Sequence, residues 1–333
     1  MSKILVIGAA WVGDAVLSQP LLSALQQREP GLEIHVLAPA WTHGVLQRMP
    51  EVAQVLDNPF KHGELALGAR YRLGRALQAS GYRQAVVLPN SLKSALIPWF
   101  ARIPRRTGYV GELRQWLLND ARRLDRQALP LMVERFAALA LPAATPLEKP
   151  VPQPRLVPDL KAQAATLARL GLALDQPVAV LCPGAEYGPA KRWPVRHFAE
   201  AARRFIAEGF QVWLLGSGKD RPVGEAIVAA TPGPVHNLCG STPLSEAVDL
   251  MAAAQRVISN DSGLMHVAAA LDRPMAAVFG SSSPRFTPPL SPQAHVVSLN
   301  LSCSPCFKRE CPLGHLRCLE ELQPDQVMTF WKS

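Results

Sequence analysis

The chain has 333 residues, 48% of them hydrophobic and 18% charged, which excludes a disordered protein and predicts two domains of roughly 150 residues each. Its formal net charge of +9 favours acidic partners such as phosphorylated substrates or an anionic membrane, although a generically basic surface accounts for it equally well. No nucleic-acid-binding motif accompanies the basic residues, so a nucleic-acid partner is not expected.

The N-terminal half is predicted to alternate between strands and helices. Residues 3–8 form an apolar, β-branched run that ends in glycine, as in a parallel strand buried on both faces. Apolar spacing then predicts a helix at 14–28, a strand at 33–37, helices at 42–49 and 64–80, and a strand at 84–88. This alternation indicates a doubly wound parallel sheet.

A proline-rich segment at 141–158 interrupts the alternation and is interpreted as a linker. The pattern then resumes with strands at 177–182, 210–216, 256–259 and 275–279 and helices at 159–171, 195–208, 220–230, 243–254 and 262–271. The sequence therefore predicts an N-terminal domain of residues 1–155 and a C-terminal domain of residues 156–333, separated by a cleft.

The location of the protein is predicted from what the sequence lacks. The N-terminus has neither the long apolar region nor the cleavage site of a signal peptide. No stretch reaches 18 uninterrupted apolar residues, so no membrane span is expected. These features predict a cytoplasmic protein.

The strongest chemical signal in the second half is the turn Asn260–Gly263, between a predicted strand and a helix. Asp261 or Ser262 is a natural N-cap, and Gly263 lets the backbone approach a ligand. Amides at a helix start bind phosphate, and ligands of open α/β sheets bind at the carboxyl ends of strands. His266, one turn further on, is expected to face the same pocket. An ordinary capped helix with a buried histidine explains the pattern equally well.

Two other loops of the second half follow predicted strands. The loop after 177–182 begins Pro183-Gly184-Ala185 and carries Lys191, a cation suited to neutralising a diphosphate leaving group. A solvated basic loop is the alternative, although Trp193 would anchor the loop. The loop Gly216–Asp220 is expected to admit a nucleoside, with Asp220 reaching a ribose hydroxyl, but a lone Gly-x-Gly is weak evidence.

The first half has polar turns of its own. The loop Gly8–Asp14 is not G-x-G-x-x-G, which disfavours a dinucleotide. Asp14 stands at a helix start, where a carboxylate remains ionised, so it is a candidate base; a helix cap is the commoner use of such a residue. The segment Asn90–Ser94 offers amide, hydroxyl and ammonium groups that fit a polar, anionic acceptor, or else it caps a helix.

Several of these motifs together resemble the bacterial lipopolysaccharide heptosyltransferases, over residues 3 to about 300. The matching motifs are Trp11–Asp14, Ala38–Trp41, Arg48–Val52, Leu88–Ala95, Pro183–Glu186, Lys191–Pro194 and Asp261–His266. The resemblance implies a GT-B fold: α/β, with two Rossmann-like domains whose parallel sheets face each other across a cleft. It also implies a metal-free, inverting transfer of heptose from ADP-L-glycero-β-D-manno-heptose to the first heptose of the inner core on Kdo-lipid A.

The resemblance also implies residue roles. Asp14 and Lys191 are expected to be catalytic, as the general base and the diphosphate-binding cation. The residues expected to bind the donor are Gly184, Ala185, Lys191, Ser217, Asp220, Asp261, Ser262, Gly263, Leu264 and His266. The residues expected to bind the acceptor are Trp11, Gly13, Asn90, Ser91 and Lys93. The expected setting is the inner face of the inner membrane, with the protein peripheral and monomeric.

The C-terminal segment 303–318 departs from the common pattern. It holds Cys303, Cys306, Cys311 and Cys318 with the spacing C-x2-C-x4-C-x6-C. Structural zinc or an iron–sulfur cluster, free thiols and disulfides all remain open, and no cofactor is expected to be needed for catalysis.

The sequence disfavours two rival classes of function. A nucleotide-linked oxidoreductase is disfavoured because G-x-G-x-x-G with a following acidic residue is absent. A non-catalytic binding module is disfavoured because it has no chemical need for both Asp14 and Lys191. Among enzymes, the alternative is a related heptosyltransferase that acts at another core position.

Overall fold

The structure is a computed structural model that describes residues 2–61 and 63–331. The chain forms two compact units, the first ending at Pro154 and the second beginning at Arg155. Each unit contains one six-stranded sheet, and every strand pairing in both sheets is parallel. The predicted α/β fold with two parallel sheets is confirmed.

Unit 1 places helices around its sheet. Its strands are β1 (Lys3–Ile7), β2 (Glu33–Ala38), β3 (Val52–Asp57), β4 (Gln84–Val87), β5 (Arg105–Tyr109) and β6 (Asp120–Arg122). Its helices are α1 (Val12–Leu17), α2 (Gln19–Arg28), α3 (His43–Leu46), α4 (Leu67–Leu77), α5 (Leu92–Phe100) and α6 (Met132–Ala138). The strand order is β3-β2-β1-β4-β5-β6. The central strands β1 and β4 are apolar because both of their faces are buried.

Unit 2 repeats this architecture. Its strands are β7 (Val178–Cys182), β8 (Gln211–Leu214), β9 (Val235–Asn237), β10 (Ala254–Asn260), β11 (Met275–Val278) and β12 (Ala294–Val297). Its helices are α7 (Leu160–Leu170), α8 (Val195–Ala207), α9 (Arg221–Ala229), α10 (Leu244–Met251), α11 (Gly263–Ala270), α12 (Arg317–Glu320) and α13 (Pro324–Met328). The strand order is β12-β11-β10-β7-β8-β9. Trp193, Phe198 and Phe205 fill the core on one side of this sheet.

The strand order of each sheet marks where a ligand is expected. The direction of the chain across the sheet reverses between β1 and β4 in unit 1 and between β7 and β10 in unit 2. Open α/β sheets bind ligands outside the carboxyl ends of the strands at such a reversal. The loops that follow these four strands therefore carry the candidate site residues.

The main departures from the predicted elements have local causes. The helix predicted at 14–28 is two helices that meet at Ser18, because Pro20 in the first turn of α2 cannot donate a backbone hydrogen bond. The helix predicted at 42–49 is shorter: α3 follows a 3-10 turn at Ala40–Thr42. No helix within residues 2–61 and 63–331 is long and apolar enough to cross a membrane.

Candidate functional site

The turn after β10 is tied to the loop after β7 by the side chain of Asn260. Its Oδ1 accepts a hydrogen bond from the backbone N of Trp193 at 3.0 Å, and its Nδ2 donates to the carbonyl of Pro183 at 2.8 Å. Trp193 is buried and donates from Nε1 to the carbonyl of Leu322 at 2.8 Å. Asn260 and Trp193 therefore fix both ends of the loop that carries Lys191. Asn260 belongs to the predicted turn, but the sequence assigned it no role of its own.

Lys191 and Asp261 form an ion pair at this turn. The Lys191 Nζ lies 2.5 Å from Asp261 Oδ2, and the hydroxyl of Ser282 donates to the same oxygen. Asp261 is buried and Lys191 is half-buried, so the ammonium is held in a fixed place beside the start of α11. The structure thus brings together two residues that are 70 positions apart in the sequence.

Ser262 is the N-cap of α11, one of the two residues that the sequence predicted for that position, with extended φ and ψ angles of −147° and 175°. Its side chain makes no cap hydrogen bond. Its hydroxyl lies 3.3 Å from that of Ser259, and the carboxylate of Asp261 is engaged by Lys191. No capping side chain therefore competes with an anion for the amides at this helix start, which the helix dipole favours.

His266 lies one turn into α11 and is buried. The pKa of His266 is lowered from 6.5 to about 4, chiefly by burial; Asp261 opposes this shift and the positive charge of Lys191 adds to it. The imidazole is therefore neutral at neutral pH. A neutral ring next to a phosphate site can offer one hydrogen bond without adding to the charge that Lys191 supplies.

The loops after β7 and β8 meet at Gly184 and Asp220. Asp220 Oδ2 accepts hydrogen bonds from the backbone N of Ser217 at 2.9 Å and from its hydroxyl at 2.7 Å. A Cβ on Gly184 would lie 2.4 Å from the same carboxylate oxygen, so a larger residue there would displace the side chain of Asp220. Ala185 next to it is buried. Asp220 thus holds its own loop in place, and its contact with a ribose stays a prediction.

In unit 1, Asp14 lies in the first turn of α1 and is half-buried. Trp11 occupies the N-cap position of the same helix, with 48% of its surface exposed. Trp41, which sequence reasoning missed as a site residue, donates from Nε1 to the carbonyl of Ala10 at 2.7 Å and is also exposed. Two indole rings thus flank the loop that carries Gly13 and Asp14.

Asn90, Ser91 and Lys93 follow β4, as the sequence predicted, and β4 pairs with β1. Ser91 is the N-cap of α5, again without a side-chain cap bond. The Oδ1 of Asn90 accepts a hydrogen bond from Nη2 of Arg114 at 3.1 Å. Arg114 is fully buried and was not predicted, because a lone arginine between strands carries no pattern that distinguishes it from an exposed one.

The C-terminal segment packs against the loop that carries Lys191. The carbonyl of Arg309 accepts from Ala190 N at 3.0 Å, and the carbonyl of Phe307 accepts from the Tyr187 hydroxyl at 2.9 Å. Its four cysteines are free, half-buried thiols that line, together with His315, a cavity of about 30 Å³. In the described part of the chain, no three His, Cys, Asp or Glu side chains are grouped to hold a metal ion.

Comparison with known proteins places these features in one family. The family described as glycosyltransferase family 9 (heptosyltransferase) matches residues 70–317. Lipopolysaccharide heptosyltransferase 2 of Salmonella typhimurium is 48% identical over 98% of this chain and 96% of its own length. Lipooligosaccharide heptosyltransferase 2 of Haemophilus influenzae is 47% identical over 89% of this chain and 88% of its own. The structure of Escherichia coli ADP-heptose lps heptosyltransferase II has a TM-score of 0.90 and 45% identity, covering 99% of this chain and 97% of that one.

Proposed function

We propose residue roles for this chain, which belongs to glycosyltransferase family 9 and transfers a heptose to the first heptose of the lipopolysaccharide inner core. The observation that carries the proposal is the Lys191–Asp261 pair at the uncapped start of α11. A cation and free helix-end amides form a site for the diphosphate of ADP-heptose. Gly184 and Ala185 have small side chains, so the backbone there can approach the same ligand closely.

The chemical step is a direct displacement. The acceptor hydroxyl gives its proton to the carboxylate of Asp14, and the oxygen forms a bond to C1 of the donor heptose. The bond between C1 and the diphosphate oxygen breaks, and ADP leaves with the electron pair. Lys191 and the amides of Ser262, Gly263 and Leu264 stabilise the negative charge that develops on the leaving group. One displacement at C1 inverts its configuration.

Asp261 acts as a positioning residue for Lys191. A flexible ammonium needs a fixed partner to stay at one place before the donor arrives. Asp261 provides this because it is buried and is itself held by the hydroxyl of Ser282. His266 stays neutral and lines the donor pocket.

The acceptor is a glycolipid, and unit 1 supports its binding. Trp11 and Trp41 are exposed aromatic rings beside Asp14, suited to packing against sugar rings, while Asn90, Ser91 and Lys93 supply polar and cationic groups. We propose that the acceptor is Kdo-lipid A bearing one heptose. The protein works as a monomer at the inner face of the inner membrane.

The transfer requires no cofactor in this proposal, because Lys191 and the helix amides do what a divalent cation does elsewhere. We propose that the four C-terminal cysteines act as free thiols and take no part in the transfer.

The test is incubation of the full chain with ADP-heptose and a core acceptor truncated after its first heptose, with and without EDTA, followed by mass spectrometry. The expected result is a mass gain of one heptose in both arms. No gain with this acceptor, but a gain with one that lacks heptose or carries two, would assign the chain to another core position. Loss of activity in EDTA would overturn the metal-free step.

A further inference from the structure

The segment between β5 and β6 exposes large apolar side chains. Trp116 and Leu113 have 83% and 76% of their surfaces exposed, the two highest values for large hydrophobic residues in the described part of the chain. Val110, at the start of the same segment, is also exposed. We call residues 110–117 the apolar turn. Apolar side chains grouped in this way mark a binding surface rather than chance exposure.

The apolar turn is held rigidly by the side chain that lies between its two most exposed residues. The guanidinium of Arg114 donates to the carbonyl of Tyr109 at 3.0 and 2.8 Å, to Asn90 Oδ1 at 3.1 Å and to the hydroxyl of Ser94 at 3.1 Å. Burial lowers the Arg114 pKa to about 10, so the group still carries its charge at neutral pH. This buried cation joins the turn to the loop that follows β4.

Two residues of the turn have a strained backbone conformation. Glu112 and Leu113 have φ angles of 45° and 57°, in the left-handed region that non-glycine residues avoid. The Glu112 carboxylate accepts a hydrogen bond from the backbone N of Leu92 at 2.8 Å, which fixes the turn at a second point. Strain kept at an exposed apolar position points to a functional constraint.

The apolar turn lies at the edge of the sheet where a lipid-linked acceptor is proposed to bind. It follows β5 and therefore lies at the same edge of the sheet as Asn90 and Asp14, which follow β4 and β1. Two strand spacings separate β5 from β1, or roughly 10 Å. The exposed Arg123 and Arg126 follow β6 at this edge, and the backbone N of Val110 bonds to the carbonyl of Arg122 at 2.7 Å.

We propose that the apolar turn docks unit 1 on an anionic lipid bilayer. Leu113 and Trp116 enter the interface between headgroups and acyl chains, and Arg123 and Arg126 contact lipid phosphates. Tryptophan is enriched at that interface, and arginines beside it bind anionic lipid. The inference rests on the proposed function, because a glycolipid acceptor anchored in the bilayer presents its sugars to the same edge of the sheet.

The experiment measures co-sedimentation of the full chain with vesicles that contain neither donor nor acceptor. One set is phosphatidylethanolamine with phosphatidylglycerol, and the other is phosphatidylcholine alone. The protein is expected to bind the anionic vesicles preferentially, and L113S/W116S should weaken this binding by at least about tenfold. The control L160S/L174S removes two exposed leucines of unit 2 and should leave binding unchanged. R123Q/R126Q should reduce the preference for anionic vesicles.

A second readout separates membrane docking from sugar contact. With acceptor embedded in vesicles, L113S/W116S should lower kcat/KM by about tenfold, whereas with a deacylated, water-soluble acceptor it should match the unmodified protein. Equal losses on both acceptors, or equal vesicle binding by variant and unmodified protein, would overturn the proposal. The proposal would also be overturned if the unmodified chain did not bind vesicles but self-associated, and if L113S/W116S abolished that self-association. Vesicle binding can be measured without turnover, so the membrane-docking proposal can be tested even if the proposed heptose transfer is wrong.

Discussion

The two sheets have the same strand order, yet the loops at their carboxyl edges differ. In unit 2, Asn260, Asp261 and His266 are buried, and Lys191 is bonded to Asp261. In unit 1, the corresponding loops expose Trp11 and the apolar turn, and the buried polar group, Arg114, lies behind them. We call the loops of unit 2 that carry Lys191 and Asp261 the prebonded edge, and the loops of unit 1 that carry Trp11 and Asp14 the open edge. Buried side chains that are already bonded to each other suit a small ligand of constant shape, whereas exposed aromatic side chains suit a large glycolipid. The following predictions test this contrast.

The largest effect is expected from Asp14, the one proposed chemical group on the open edge. Asp14→Asn should lower kcat by about 10³-fold, since general base catalysis contributes about 10² to 10⁴. The KM for ADP-heptose should not change, because the residues proposed to bind the donor all lie in unit 2. Steady-state kinetics with both substrates varied measures this split, with Asp57→Asn as the control for loss of a carboxylate. A variant that retains turnover would remove Asp14 as the base.

Lys191→Met should affect the prebonded edge differently. It removes the cation from the leaving group, so kcat/KM for ADP-heptose should fall by about 10² to 10³. Binding of ADP itself, measured by calorimetry, should weaken as well. Lys219→Met is the matched control, because Lys219 is an exposed lysine of the same unit that pairs with Glu186 at 2.5 Å. If both variants lower kcat/KM and ADP binding equally, Lys191 acts through the net positive charge of the unit and not through direct contact with the leaving group.

The contrast also shows where sequence reasoning succeeds. The central strands are buried apolar runs, and the turns that follow them were identified because chemistry-bearing residues interrupt those runs. The edge strands β3, β6, β9 and β12 and the inner strand β5 were missed. Strands β6, β9 and β12 are only three or four residues long and half-exposed, and β3 and β5 mix polar with apolar residues. Local pattern could not show that Lys191 meets Asp261, because this depends on β7 pairing with β10.

Two features that sequence reasoning did not reveal have the same origin. Ser262 is the N-cap of α11 as predicted, but the other candidate, Asp261, bonds to Lys191, a contact made by a distant part of the chain. Arg114 was missed because its burial depends on carbonyl and side-chain acceptors from a separate loop, at Asn90 and Ser94. Sequence spacing predicts which loops carry function, and tertiary contacts decide which of their side chains are held in place.

His266 gives the prebonded edge a measurable dependence on pH. Its folded-state pKa of about 4 lies below the unfolded value of 6.5, so the unfolded chain binds the proton more strongly between these values. Stability that is fully present above pH 6.5 is therefore lost as the pH falls. Between pH 6.5 and 5 the loss should be about 1.6 kcal/mol, or about 15-fold in the unfolding equilibrium.

Urea unfolding at pH 6.5 and 5 measures this loss. His266→Gln should remove that part of the pH dependence, whereas the exposed His295→Gln should keep it. The same pH dependence in His266→Gln and the unmodified protein would show that the imidazole is protonated in the folded chain.

The smallest effect is expected from the C-terminal thiols, because their segment contacts the loop that carries Lys191 but not the proposed donor-binding residues themselves. Arg309 packs against the Lys191 loop so closely that a Cβ on Gly188 would lie 2.5 Å from its carbonyl oxygen. Alkylating the four half-buried thiols with N-ethylmaleimide should shift this loop and raise the KM for ADP-heptose, by less than the roughly 10²-fold that a misplacement of about 1 Å can cost. Buried Cys182 and Cys239 should not react in the folded chain.

The variant with serine at positions 303, 306, 311 and 318 is the control, and its KM should not respond to the reagent. Mass spectrometry of the native protein should show four labels. Fewer labels, together with bound zinc in elemental analysis or with thiols that appear only after reduction, would contradict the free-thiol assignment. A labelled protein with an unchanged KM would instead show that the Lys191 loop keeps its place without this segment. In that case Asn260 and Trp193 are enough to hold the Lys191 loop, because they bond it to β10 and to the carbonyl of Leu322.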